Sequence, residues 1–146
     1  MSNSDCGDIK RKITREYIEK SEKIDYTLTL PDSELDVMFA FWNSEPPYTT
    51  SRLMHCIGTE KGWKSPTLIS FLNRLEERGY IMSYKNGKER NYIPLAEKKE
   101  YIRKKTAAFA EKYHDGSFVS ILDSLYGESG FPDDEIDCLI KWLRKH

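Results

Sequence analysis

The stretch from Ser65 to Pro94 constrains this chain most, because its backbone punctuation allows one helix followed by one hairpin. Ser65 stands at an N-cap position, with Pro66 at the first helical residue, where a missing N–H costs nothing. Leu68, Leu72 and Leu75, helped by Phe71, then recur on one helical face. Gly79 ends the run, since glycine takes the positive φ that follows a last helical turn without steric penalty. Tyr80–Lys85 and Glu89–Ile93 read as strands around Asn86–Gly87, the strongest short-range hairpin signal, and Pro94 closes the second strand.

Two more helices are predicted upstream. The first begins at Asp32 as N-cap, just past Pro31, with Leu35, Met38, Phe39 and Trp42 as its buried face, and stops at Glu45–Pro46–Pro47. Thr49 caps the second, which turns Leu53 and Ile57 inward before Gly58–Gly62 loosens into a loop. The order helix, helix, loop, helix, two-stranded hairpin is that of a winged helix-turn-helix. In that arrangement the third helix enters a major groove and the hairpin tip lies over the backbone.

Further toward the N-terminus, Lys10–Glu22 reads as a charged helix with a thin seam of Ile9, Ile13, Tyr17 and Ile24. Tyr26–Leu30 alternates as a short strand does. After Pro94 only helical patterns follow. Glu97–Tyr113 carries Tyr101, Ala108, Phe109 and Tyr113, and His114–Asp115–Gly116 breaks it. Ser117 caps a short helix with Phe118, Ile121, Leu122 and Leu125. Beyond Gly127–Gly130, Pro132 starts a last helix with Ile136, Leu139, Ile140 and Leu143. Three such helices cannot bury a self-sufficient core, so this part reads as a module for pairing two copies, a homodimer. The fold class is therefore mainly α with a small β-hairpin: a helical extension (1–25), a winged helix domain (26–95) and a helical dimerisation module (96–146).

Charge separates these parts. The net charge of −1 conceals seven bases (Lys61, Lys64, Arg74, Arg78, Lys85, Lys88, Arg90) against three acids between Lys61 and Tyr92. From Asp115 to Asp137 there are seven acids and no Lys or Arg. One stretch can face phosphates and the other is repelled by them. No apolar run is long enough to span a bilayer, and Met1–Asp8 lacks a secretory core, which predicts a cytoplasmic protein with no membrane partner. Cys6, Cys56 and Cys138 form no CxxC pair, and adjacent His55–Cys56 point apart on a helix, with Cys56 expected to be buried. The three histidines are scattered and no nucleophile–base set or phosphate-binding glycine loop is present. An enzyme, a metal site and a cofactor are accordingly not expected.

The outer face of the third helix presents Thr67, Ile69, Ser70, Asn73 and Arg74, with Lys64 and Ser65 at its start. Arg and Asn can read guanine and adenine edges in bidentate fashion, and an isoleucine can meet a thymine methyl. Lys85, Lys88 and Arg90 put charge at the hairpin tip, while Tyr84 and Tyr92 read as cross-strand packing partners. A solvated helix face also shows such residues, and a winged helix that docks an acidic protein without DNA affinity is the alternative reading. A ligand-sensing regulator would need a polar cluster that the sequence does not display.

Leu35–Trp42 (LDVMFAFW), Trp63–Tyr80 (WKSPTLISFLNRLEERGY) and Gly87–Leu95 (GKERNYIPL) together resemble the penicillinase repressor family, which holds β-lactam-resistance regulators and copper-responsive relatives. The resemblance implies a repressor binding dyad operators as a homodimer, with double-stranded operator DNA as partner. It also implies recognition contacts from Thr67, Ser70 and Arg74, phosphate contacts from Thr49 and Thr50, and wing contacts from Lys88 and Arg90. The residue at 69 is usually basic in that family and is Ile69 here. The copper-responsive relatives carry a C-terminal cysteine cluster where this chain has only Cys138. The β-lactam regulators imply an upstream sensor protease that cuts an Asn-Phe bond, and the nearest alignment here is Ser124–Leu125.

Overall fold

The structure, a computed structural model, describes residues 3–146, with side-chain surroundings from Gly7 on; Met1, Ser2 and the side chain of Cys6 lie outside the described part. Its elements are α1 (Asn3–Ser21), α2 (Asp32–Trp42), β1 (Tyr48–Thr49) and α3, which joins the turns Thr50–Leu53, Met54–Gly58 and Thr59–Lys61. These are followed by α4 (Ser65–Glu77), β2 (Ile81–Asn86), β3 (Glu89–Pro94), α5 (Lys98–His114), α6 (Phe118–Tyr126) and α7 (Asp133–Lys145). The chain divides into two compact units, 1–104 and 105–146.

In the first unit the core gathers Val37, Met38 and Phe41 of α2, Leu53 and Ile57 of α3, Leu68, Leu72 and Leu75 of α4, and Tyr80, Ile81 and Tyr92 of the hairpin. Three helices and a hairpin around one core is the expected winged helix, but several details differ. The buried face of α2 is Glu34, Val37, Met38 and Phe41, one position off the predicted stripe. Leu35, Phe39 and Trp42 are only half-buried; Leu35 and Trp42 pack at the rim of the core, and Phe39 sits edge-on to Trp42. Trp42 stays at the rim because its indole N–H donates to the Ala96 carbonyl at 2.9 Å. Asp32 is not the N-cap. Pro31 occupies that position, and its carbonyl accepts from Leu35 N at 2.9 Å.

α3 is longer than predicted. Gly58 continues the helix after one widened π-type turn, and the chain reverses only at Gly62, which takes φ +70°. A Cβ on Gly58 would come within 2.5 Å of the Met54 sulfur, so the missing side chain makes room for the helix's own Met54.

The sheet has three strands in the order β1-β3-β2, all antiparallel. The two-residue β1 pairs Tyr48 with Tyr92 and Thr49 with Asn91, and is too short to leave a periodic signal. The hairpin pairs through Asn86↔Glu89, so its turn is Gly87–Lys88, one residue later than read. Gly87 takes φ +68° while Asn86 remains extended, which places the glycine first in the turn as in type II′.

Tyr26–Leu30 is not a strand. Its alternation is present, with Tyr26 and Leu28 half-buried and Leu30 buried between exposed neighbours, but no strand pairs with it. A turn anchored by Asp25, whose carboxylate accepts from Thr27 N at 3.0 Å, occupies the segment instead.

In the second unit, Ser117 caps α6 by accepting from Ser120 N at 3.1 Å, and Pro132 precedes α7. Tyr126 donates to Glu135 at 2.6 Å and stacks near Phe131. No residue from Lys105 to His146 is buried.

Candidate nucleic-acid interface

Three inward leucines fix α4 in rotation, since Leu68, Leu72 and Leu75 are all 0% exposed. Its C-terminal end is locked by two reversed bonds, Tyr80 N to Leu75 O and Gly79 N to Glu76 O, both 3.0 Å, with Gly79 at φ +78°. This is a Schellman closure, and it sets the angle at which β2 leaves the helix. A second lock joins α4 to α2, where Arg78 Nε meets Glu34 Oε1 at 2.8 Å. Glu34 is 1% exposed, and its other oxygen has no hydrogen-bond partner.

The N-terminal end is capped differently from what the sequence suggests. Lys64, not Ser65, is the N-cap; it gives only its carbonyl, which accepts from Thr67 and Leu68, and no side chain caps the helix. Ser65 is the first helical residue, with Pro66 second. The shift follows from Lys64 holding the extended φ −91°, ψ 159° that a cap needs.

Opposite the leucines, α4 exposes Thr67, Ile69, Asn73 and Arg74 and half-exposes Ser70. Lys64 and Ser65 are exposed at its start, and Lys85, Lys88 and Arg90 at the hairpin tip. Two of the seven bases counted from sequence do not belong to this surface. Arg78 is paired with buried Glu34, and Lys61 pairs with Asp36 at 3.3 Å. Thr49 uses its hydroxyl oxygen to cap α3, accepting from Arg52 N at 3.2 Å, and Thr50 is half-buried beside it.

The wing is tied to the helix by a polar chain that sequence reasoning missed. Arg90 Nη1 donates to Ser83 Oγ at 2.8 Å, and that hydroxyl donates to Glu76 Oε1 at 2.7 Å. Strand alternation puts Ser83, Lys85 and Arg90 on the sheet face toward α4, so β2, β3 and the helix hold one another's spacing. No sequence period reports that Ser83 and Glu76 meet across a hairpin.

Among the described residues no group of three His, Cys, Asp or Glu gathers as a metal site, and Cys56 is exposed, not buried as expected, because α3 turns Leu53 and Ile57 inward. Four tyrosines titrate high, Tyr126 through its hydrogen bond to Glu135 and the other three through burial. Burial pushes Tyr80 up to about 12, and burial likewise raises Tyr101 and Tyr48. No helix among the described residues is long and apolar enough to cross a membrane.

Of the residues read as dimer contacts, Tyr101 is placed elsewhere. It is 6% exposed in the core of the first unit, its ring 5.6 Å from Trp42 and 6.2 Å from Tyr80. The others are in the second unit. Phe109, Tyr113, Phe118, Leu125, Ile136, Ile140 and Leu143 are exposed, and Ile121, Leu122 and Leu139 are half-buried. Val119 and Trp142 join the exposed apolar set and were not singled out from sequence.

The family model described as penicillinase repressor matches residues 30–145. The penicillinase repressor of Bacillus licheniformis is 24% identical over 117 residues, which is 80% of this chain and 91% of that protein. The methicillin resistance regulatory protein MecI of Staphylococcus aureus (strain N315) is 25% identical over 119 residues, 82% of this chain and 96% of its own. A MarR family protein from Bacillus stearothermophilus superposes with a TM-score of 0.44 at 18% identity, covering 99% of this chain and 94% of that one.

Proposed function

This chain belongs to the penicillinase repressor family, a family of transcriptional repressors, and from that premise we propose that it represses by occupying dyad operator DNA as a homodimer. The observation that carries the reading is the outer face of α4 beside the basic wing. From Thr67 to Arg74 that face spans eight residues, about 10 Å of helix axis, close to the width of a major groove. Asn73 and Arg74 have the chemistry to read base edges, and Lys64, Lys85, Lys88 and Arg90 the charge to lie against phosphates. Ile69, exposed on the same face, can offer an apolar contact to a thymine methyl.

The homodimer is supported by the second unit, whose helices bury nothing by themselves while exposing Phe118, Val119, Leu125, Trp142 and Leu143. Apolar surface on that scale marks an interface. A two-fold dimer would set two α4 helices on half-sites one or more helical turns apart. Control by a sensor protease rests on the family resemblance alone.

A mobility-shift titration on the upstream region of the chain's own gene tests the reading. The parent should bind with a steep salt dependence. Arg74→Ala with Lys88→Ala should weaken it by roughly 1–3 kcal/mol for the base edge that Arg74 no longer reads, and flatten the salt slope by about 0.9 for each phosphate left without its cation. Unchanged binding by the double variant refutes the site. No binding by the parent leaves the winged helix as a protein-docking module.

A further inference from the structure

The helix before the family-matched region has an assignable place and charge. The family match begins at residue 30, so α1 lies outside it. The chain leaving α1 is anchored at the foot of the hairpin. There the Asp25 carbonyl accepts from Tyr80 OH at 2.9 Å, and the Tyr26 hydroxyl accepts from Glu97 N at 3.0 Å. Two turns earlier, Tyr17 lines a cleft whose hairpin wall runs from Tyr84 and Asn91 down to Ile93 and Pro94 at the foot. Alternation puts Tyr84, Asn91 and Met82 on the sheet face away from Ser83. Met82 is 0% exposed yet lies outside the main core cluster, so that face is covered.

These two points hold the C-terminal half of α1 beside the sheet face that carries Tyr84 and Asn91. The basic stretch, Lys10–Arg15, lies within two turns of Tyr17 on its N-terminal side. Lys10, Arg11, Lys12 and Arg15 are exposed, and none is in an ion pair among the described residues. From Asp8 to Arg15 the only acid is Asp8, whereas Glu16, Glu19 and Glu22 offset Lys20 and Lys23 in the half near the foot.

We infer that α1 is a second DNA-contacting element, laying Lys10, Arg11, Lys12 and Arg15 on backbone phosphates that flank those under the wing. The inference rests on the DNA-binding reading of α4 and the wing, and adds to it a longer footprint without base readout. Phosphate contacts carry no sequence information, so α1 raises affinity for operator and unrelated duplex alike.

The test is a fluorescence-anisotropy salt titration of the full chain on a duplex from its upstream region and on an unrelated duplex. The variant is Lys10→Gln, Arg11→Gln, Lys12→Gln, Arg15→Gln together. Its plot of log K against log salt should be shallower by roughly 2–4, with affinity at 0.1 M salt falling on the order of eightfold for each phosphate left without its cation, on both duplexes. All four side chains are exposed, so the melting temperature should hold; the pair Arg11→Gln, Arg15→Gln alone should give about half the slope change. If the fourfold variant matches the parent while Arg74→Ala with Lys88→Ala weakens binding, the inference is overturned and the reading of α4 and the wing stands. If the parent binds neither duplex, both fall. If the substitutions reduce binding only to phosphatidylserine vesicles, α1 is a membrane-surface helix and the inference is likewise overturned.

Discussion

Replacing Arg78 by alanine tests what holds α4 against α2. Glu34 is 1% exposed, with one oxygen 2.8 Å from Arg78 Nε and the other without a partner, so its charge is balanced by that guanidinium. Removing one member of a buried ion pair costs about 3–5 kcal/mol, because it strands an uncompensated charge. Here the Arg78 side chain is 32% exposed, so water reaches the pair and screens it, and we expect about 2–4 kcal/mol. The double replacement Glu34→Leu with Arg78→Met removes both charges at similar volume and should be neutral or stabilising. Urea unfolding followed by tryptophan fluorescence of the parent, Glu34→Leu, Arg78→Met and the double variant gives the four corners of the cycle, with the midpoint moving and the slope constant. The coupling energy should be at least about 2 kcal/mol. A loss under about 1 kcal/mol for Arg78→Ala, or single and double variants that simply add, would refute the idea that Glu34 depends on Arg78. Operator affinity of Arg78→Ala should fall as well, since α4 would lose its side-chain tie to α2.

Two further outcomes follow from the same geometry. Tyr80 holds its proton up to about 12 in the fold against an ordinary 10.0, so the folded state binds more protons between those values. Stability is then fully present below pH 10 and falls as pH rises toward 12, by on the order of 2–3 kcal/mol; Tyr80→Phe should remove that part of the alkaline loss in thermal melts, and an unaltered pH profile would count against it. In the second unit, Ile140→Glu with Leu143→Glu alters only exposed positions. Sedimentation should show the parent dimer becoming a monomer with its helix content kept, and a parent that already sediments as a monomer would dispose of the apolar face as an interface.

The helix of the interface was legible because its signals are local. Leu68, Leu72 and Leu75 repeat at helical spacing, Gly79 supplies a positive φ, and Gly87 turns the hairpin, each within one or two turns of chain. Errors of one residue at Ser65, Asp32 and Asn86 arose where neighbouring residues satisfy nearly the same capping or turn geometry, and backbone conformation chose between them. Tyr26–Leu30 misled for a different reason. An alternating burial pattern needs only a surface to pack on, whereas a strand also needs a partner edge, and among the described residues no strand pairs with it.

The sequence by itself therefore determined the order of the helices, the hairpin and the basic character of their shared surface, because helix caps, turn glycines and apolar periods act over a few residues. Tertiary structure decided which of those bases face outward. Arg78 turns in to Glu34 across 44 positions of chain, Arg90 is steadied by Ser83 and Glu76, and Tyr101 joins the first core. It also tied the chain leaving α1 to the hairpin's foot, through Tyr80 to Asp25 and Glu97 to Tyr26. Such pairings depend on distance in space, and no spacing along the chain encodes them.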